Sequence, residues 1–188
     1  MSRSPIRWVA LAVGLVAAGC CVVFAIQVSK GAKQPSIPRL VLEHAPAPAF
    51  TVKGLDGKPI DSAQLKGKTY VVNFFNRWCL PCQEEAPAIQ AFYEEHKNDA
   101  DFAMVGIITD DDASTVRGYM SSHRLSWPAA VDPGGEASLG FGTTGQPETY
   151  VIAPDGIAVC GALGASSQAD LDTWLQAART GQECSASS

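Results

Sequence analysis

Residues 70–82 read Tyr70-Val71-Val72-Asn73-Phe74-Phe75-Asn76-Arg77-Trp78-Cys79-Leu80-Pro81-Cys82. The apolar run at the start is of the kind that forms a buried strand. Behind it, a helix is predicted over 79–97, with Ala86, Ile89, Ala91, Phe92 and Tyr93 on its apolar face. A C-x-x-C that follows a strand and opens a helix has a specific chemical meaning. The helix start offers unpaired N–H groups and the positive end of the dipole. Both stabilise a thiolate, so the first cysteine becomes a nucleophile near neutral pH. The spacing predicts that Cys79 attacks a disulfide and that Cys82, one turn inside the helix, resolves the mixed disulfide. Pro81 suits the first turn, where a missing N–H costs little.

Working outward, strand and helix signals alternate. Phe50–Lys53 and a strand near Pro59-Ile60 flank the turn Gly54-Leu55-Asp56-Gly57. Further strands are predicted at Phe102–Thr109, Trp127–Val131, Thr149–Ile152 and Ile157–Gly161, the last two split by Pro154-Asp155-Gly156. Helices are predicted over 113–123, Glu136–Phe141 and 167–179. This order implies an α/β domain over 49–180 with helices on both faces of a central sheet, followed by a polar tail over 181–188. No repeat or low-complexity tract is present.

The N-terminus differs in kind. Residues 1–39 hold five basic and no acidic side chains, whereas the rest holds nine basic against all nineteen acidic ones. The net charge of −5 does not suit nucleic acid. Trp8–Ile26 is a run of nineteen residues without a charge; as a helix it is about 28 Å long, against a hydrocarbon core of ~30 Å. Arg3 and Arg7 precede it and favour the cytoplasmic side, which places the domain outside. Residues 1–28 therefore read as an uncleaved membrane anchor rather than a cleaved signal peptide, whose apolar core is usually shorter and is followed by an A-x-A-like site, and 29–48, rich in Pro, Gly and Ser, as a linker. Val16-Ala17-Ala18-Gly19-Cys20 also resembles a bacterial lipoprotein box, although Cys21–Ile26 stays apolar behind it. Either reading leaves the domain tethered on the outer side.

A structural zinc site would need four ligands. Outside the anchor the motif is joined only by Cys160 and Cys184, and no second C-x-x-C or H-x-H pair accompanies them. No metal is expected, and no cofactor beyond the redox-active Cys79–Cys82 disulfide. His44, His96 and His123 are scattered, are expected near the surface, and receive no chemical role.

Residues 46–179 resemble the thioredoxin superfamily, specifically its membrane-anchored TlpA/DsbE-like branch that serves cytochrome c maturation. Ala47–Val52, Leu55–Lys58 and Leu65–Lys68 are similar to that branch's N-terminal hairpin. Val71–Cys82 is similar to its active-site strand and motif, and Gly145-Gln146-Pro147-Glu148-Thr149-Tyr150-Val151-Ile152 to its cis-proline segment. The resemblance implies a thioredoxin fold with a β-hairpin extension. It implies a cis bond before Pro147, and a Gln146 backbone that pairs with the substrate chain like an added strand. It makes Trp78 a platform flanking the nucleophile, and Glu85 the proton partner of Cys82, with which it shares a helix face. Pro87 falls where the family kinks this helix. Asn73 departs from cytoplasmic thioredoxins, which have a buried aspartate there, and Leu80 stands where they have glycine. Outside the cytoplasm, a structural Cys160–Cys184 disulfide is expected; two unpaired thiols are the alternative.

The functional expectation is an extracytoplasmic thiol–disulfide oxidoreductase, a protein-disulfide reductase acting on haem-attachment cysteines of apocytochrome c. Its electrons would come from a membrane thiol relay. A general disulfide donor or isomerase is the alternative in the same class. A peroxiredoxin would need a hydroxyl residue three positions before its cysteine, where Asn76 stands. A copper chaperone of this fold would space its cysteines C-x-x-x-C and add a distant histidine.

Overall fold

The computed structural model describes residues 44–182 and Cys184, and, in the N-terminal segment, Gly14 and Gly19, both helical. The chain divides into two units, Met1–Ser36 and Ile37–Ser188. The rest of the expected anchor Trp8–Ile26, with Cys20 and Cys21, and most of the expected linker lie outside the described residues. Among the described residues no helix is long and apolar enough to cross a membrane.

The described residues of the second unit hold eight strands: β1 (Ala45–Pro46), β2 (Thr51–Gly54), β3 (Pro59–Asp61), β4 (Thr69–Phe74), β5 (Phe102–Ile108), β6 (Ala129–Val131), β7 (Glu148–Ile152) and β8 (Ile157–Leu163). Its helices are α1 (Leu80–His96), α2 (Ala113–Ser122), α3 (Glu136–Phe141) and α4 (Gln168–Thr180). They form one mixed sheet in the order β1-β8-β7-β4-β5-β6-β2-β3. β4, β5 and β6 run parallel, and the other pairs are antiparallel. This is the thioredoxin-like α/β fold. Two residues of the stretch read as linker, Ala45 and Pro46, form β1; at a sheet edge proline's missing N–H breaks no ladder.

β4 is central and wholly buried, and its side chains alternate between two cores. Tyr70, Val72 and Phe74 face a core shared with Phe50, Phe141 of α3 and Tyr150. Val71 faces the other, built with Ile89 and Phe92 of α1 and Leu171, Trp174 and Leu175 of α4. The period-two pattern thus sends α1 and α4 to one face and α3 to the other.

The helix starts are specified locally. Asp112 caps α2, accepting from the backbone N–H of Ser114 (2.9 Å) and Thr115 (3.0 Å). Ser167 and Asp170 form a reciprocal capping box on α4. α1 continues through Pro87 to His96. His96 is buried, against the expectation of a surface position. Its Nδ1 and Nε2 lie 3.0 Å from Asp99 and 3.0 Å from Asp172, so the ring clamps the end of α1 to α4.

Gly106 of β5 permits a close approach that supports the active-site loop. A Cβ there would lie 2.6 Å from the Phe75 ring and 2.9 Å from Trp127 Nε1. Without it the two rings pack edge to face at 5.9 Å.

Cys184 is joined to Cys160 of β8, with Cα atoms 5.7 Å apart, within the ordinary disulfide range. The bond closes a loop with a sequence separation of 24. Cys184→Ser is expected to lower unfolding stability by about 3 kcal/mol, from loop-closure entropy. Urea melts of both forms under non-reducing conditions check this; equal midpoints would show that the tail contributes nothing.

Candidate active site

The strand–helix junction sets the geometry. Cys79 is the N-cap of α1, and its Sγ accepts from the Cys82 backbone N–H at 3.2 Å. Cys79 and Cys82 form a disulfide with Cα atoms 5.2 Å apart. On reduction, the Cys82 N–H and the helix dipole favour negative charge at Cys79. The carbonyl oxygen of Gln146 lies 3.4 Å from Cys79 Sγ, so a protonated thiol has an acceptor there. The Gln146–Pro147 peptide bond is cis. Residues 77–82 and 143–147 thus meet at the sulfur, the one brought by β4 and the other by β7.

Between them lies an open groove of ≈500 Å³. Trp78, Leu80 and Pro81 contribute apolar surface, Thr143, Gly145 and Gln146 neutral polar surface, and Asp110 a carboxylate. Trp78 is 57% and Leu80 64% exposed, whereas the cysteines beside them are buried. Two large apolar side chains are thus left in water next to the sulfur.

Below the sulfurs, Glu85 is buried on α1, one turn beyond Cys82 on the same face. Burial pushes its carboxyl up to about 7, against the lowering effect of hydrogen bonds. Oε1 accepts from the Ser166 backbone N–H (3.1 Å) and Oε2 from Asn73 Nδ2 (3.4 Å). Asn73 also donates to Thr149 Oγ1 at 2.9 Å, so it joins β4, β7 and the acid. A carboxyl titrating near 7 can take up or release a proton at the operating pH.

Two positioning residues escaped the sequence reading. Asn76, fully buried, donates from Nδ2 to Gln146 Oε1 at 2.6 Å and ties the nucleophile loop to the cis-proline loop. Its only signal was a second amide, after Asn73, at the end of an apolar and aromatic run. Glu148, also buried, accepts from the N–H groups of Thr144 (3.0 Å) and Gly145 (3.4 Å) and from the Tyr150 hydroxyl (2.5 Å). It thereby fixes the loop that carries Gln146. Burial, and then Glu148, push the Tyr150 hydroxyl well above its ordinary value, so it stays a donor.

Cys160 and Cys184 belong to β8 and the tail and do not line the groove. Among the described residues, Glu95, His96 and Asp172 are close enough together to hold a metal ion. Both His96 nitrogens already face carboxylates, however, and Glu95 accepts from Gln168 Nε2 at 2.8 Å. The cluster is a helix clamp.

Comparison with known proteins agrees with this geometry. The sequence pattern of the AhpC/TSA family matches residues 44–159. The chain is 29% identical over 130 residues to the thiol-disulfide oxidoreductase ResA of Bacillus thuringiensis subsp. konkukian, covering 69% of this chain and 75% of that protein. It is 28% identical over 138 residues to the thiol:disulfide interchange protein CycY of Rhizobium leguminosarum bv. viciae, covering 68% and 72%. The crystal structure of a thioredoxin-family thiol:disulfide interchange protein from Chlorobium tepidum superposes with a TM-score of 0.64 at 33% identity, covering 76% of this chain and 99% of that one. With a capped C-x-x-C disulfide facing an open groove, and a family match that spans most of the chain, the protein belongs to the AhpC/TSA family of the thioredoxin fold and is a thiol–disulfide oxidoreductase.

Proposed function

We propose that this enzyme reduces protein disulfides outside the cytoplasmic membrane, with the haem-attachment cysteines of apocytochrome c as its substrates and a membrane dithiol as its electron donor. The observation that carries the protein-substrate reading is the exposed Trp78–Leu80 surface beside Cys79, facing the cis-proline loop across an open groove. A small-molecule thiol needs no such platform; a polypeptide does. The direction rests on the resemblance of Val71–Cys82 and Gly145–Ile152 to the reducing branch, and the location on the apolar run Trp8–Ile26 behind Arg3 and Arg7.

The reaction balances as a two-electron exchange. The Cys79 thiolate attacks one sulfur of the substrate disulfide, forming a mixed disulfide and releasing the other as a thiolate, which takes a proton. Cys82 gives its proton to Glu85 and attacks Cys79 Sγ. The Cys79–Cys82 disulfide forms, and the second substrate sulfur leaves and is protonated. The membrane dithiol then returns two electrons and two protons by the reverse exchange.

The test is the reduction potential of Cys79–Cys82, equilibrated against dithiothreitol or glutathione buffers. A value near that of thioredoxin, about −270 mV, is expected. A value near that of a strong oxidant, about −120 mV, would reassign the enzyme as a disulfide donor.

A further inference from the structure

We propose that Asp110 is a specificity-determining residue of the thiol groove, selecting disulfide substrates that carry a basic side chain beside the attacked cysteine. This deepens the reading above and rests on it, since it presumes that the substrate is a polypeptide.

Three consecutive carboxylates follow β5, and two have structural work. Asp111 Oδ2 pairs with Arg77 Nε at 2.5 Å and binds the nucleophile loop to the end of β5. Asp112 caps α2, and its hydrogen bonds from Ser114 and Thr115 hold its carboxyl below the usual range. Asp110 has neither an ion pair nor a hydrogen bond among the described residues; it is exposed and lines the groove. Among the described residues it is also the single charged one in that lining. The Arg77 guanidinium of the nucleophile loop pairs with Asp111.

A negative charge without a partner, in a groove otherwise apolar and neutral, sets a selection rule. A chain laid along Gln146 brings the side chains flanking its cysteine past Asp110. Lysine or arginine there gains an ion pair at the rim, whereas glutamate meets a like charge. The acidic balance outside residues 1–39 acts in the same direction, but without reference to position in the peptide.

The experiment uses the full chain, reduced and freed of reductant. It is mixed in single turnover with peptides that share one internal disulfide. They differ only in the residue before the first or after the second cysteine: Lys, Gln or Glu. Rate constants come from the peptide thiols released. At one position or both, Lys is expected to exceed Glu by about fivefold, as for an exposed ion pair. The preference should fade between 0.1 and 1 M salt, as the screening length falls from about 10 to 3 Å. Asp110→Asn should bring the Lys:Glu ratio close to the background set by overall charge. Asp110→Lys should invert it, and Asp110→Glu should restore it. An unchanged ratio in Asp110→Asn at both positions overturns the assignment while leaving the protein-disulfide reading intact. Failure to reduce any peptide, by a protein that still exchanges with dithiothreitol, overturns both.

Discussion

Cys79→Ser is expected to abolish reduction of every disulfide substrate, a loss of more than about a thousandfold, because no other thiol lines the groove among the described residues. Cys82→Ser should behave differently. Cys79 keeps its place at the helix start and its attack on substrate, but nothing resolves the product. The variant should accumulate a mixed disulfide of one substrate chain per enzyme, visible as a mass increase lost on reduction. The asymmetry follows from the structure. Cys79 shares the groove with Trp78 and Leu80, whereas Cys82 lies inside α1 and does not line it. Mass spectrometry of both variants after incubation with a disulfide peptide reads the result. A trapped adduct on Cys79→Ser, or residual turnover by it, would reverse the assigned roles.

The placement of the two cysteines at a strand–helix junction was legible because its signals are local. An apolar run, a C-x-x-C and an amphipathic segment sit next to one another, and the junction of β4 with α1 follows from them. Contacts between distant segments left weaker traces. Asn76 and Gln146 are 70 residues apart, and neither neighbourhood states that their amides meet. Glu148 has the composition of a solvated strand end, yet β7 is covered on both faces and the side chain is drawn inside by two backbone N–H groups and a hydroxyl. His96 reads as a surface residue on composition. It is buried against Phe92 and Phe102, and Asp172, on another helix, bonds to its ring. β1 is two residues long, one of them proline, and carries no period to detect. Asp110, Asp111 and Asp112 are equivalent as letters; only the fold gives one an arginine, one a helix N-terminus and one the groove. The resemblance supplied what spacing could not, marking Pro147, Gln146 and Glu85 from segments far apart in the chain.

Glu85→Gln is expected to slow the resolving step by about 100-fold at pH 7.5, the lower end of the usual contribution of a positioned acid–base group, and to remove its pH dependence. In the native enzyme Glu85 titrates near 7, so resolution should rise as pH increases through 7 and the carboxylate becomes able to accept the Cys82 proton. Attack by Cys79 should be little affected, and the mixed disulfide should therefore build up transiently in the variant. The same substitution acts on stability with a definite sign. Burial raises the folded-state value from 4.5 to about 7, so the folded chain prefers the protonated acid. Stability is full below about 4.5, falls as the unfolded chain ionises first, and levels off above 7. The cost at high pH is on the order of 3 kcal/mol. Glutamine carries no charge and keeps an oxygen for the Ser166 N–H, losing only the long Asn73 contact at 3.4 Å, which an amide NH2 cannot accept. The variant should lose that pH dependence and be the more stable form at pH 8.5, while reducing substrate more slowly. Denaturant melts at pH 4 and pH 8.5, with rapid-quench kinetics across the same range, read both effects. A structural role alone would move stability and leave the kinetic inflection near 7 in place; its persistence in Glu85→Gln would remove Glu85 from the proton path.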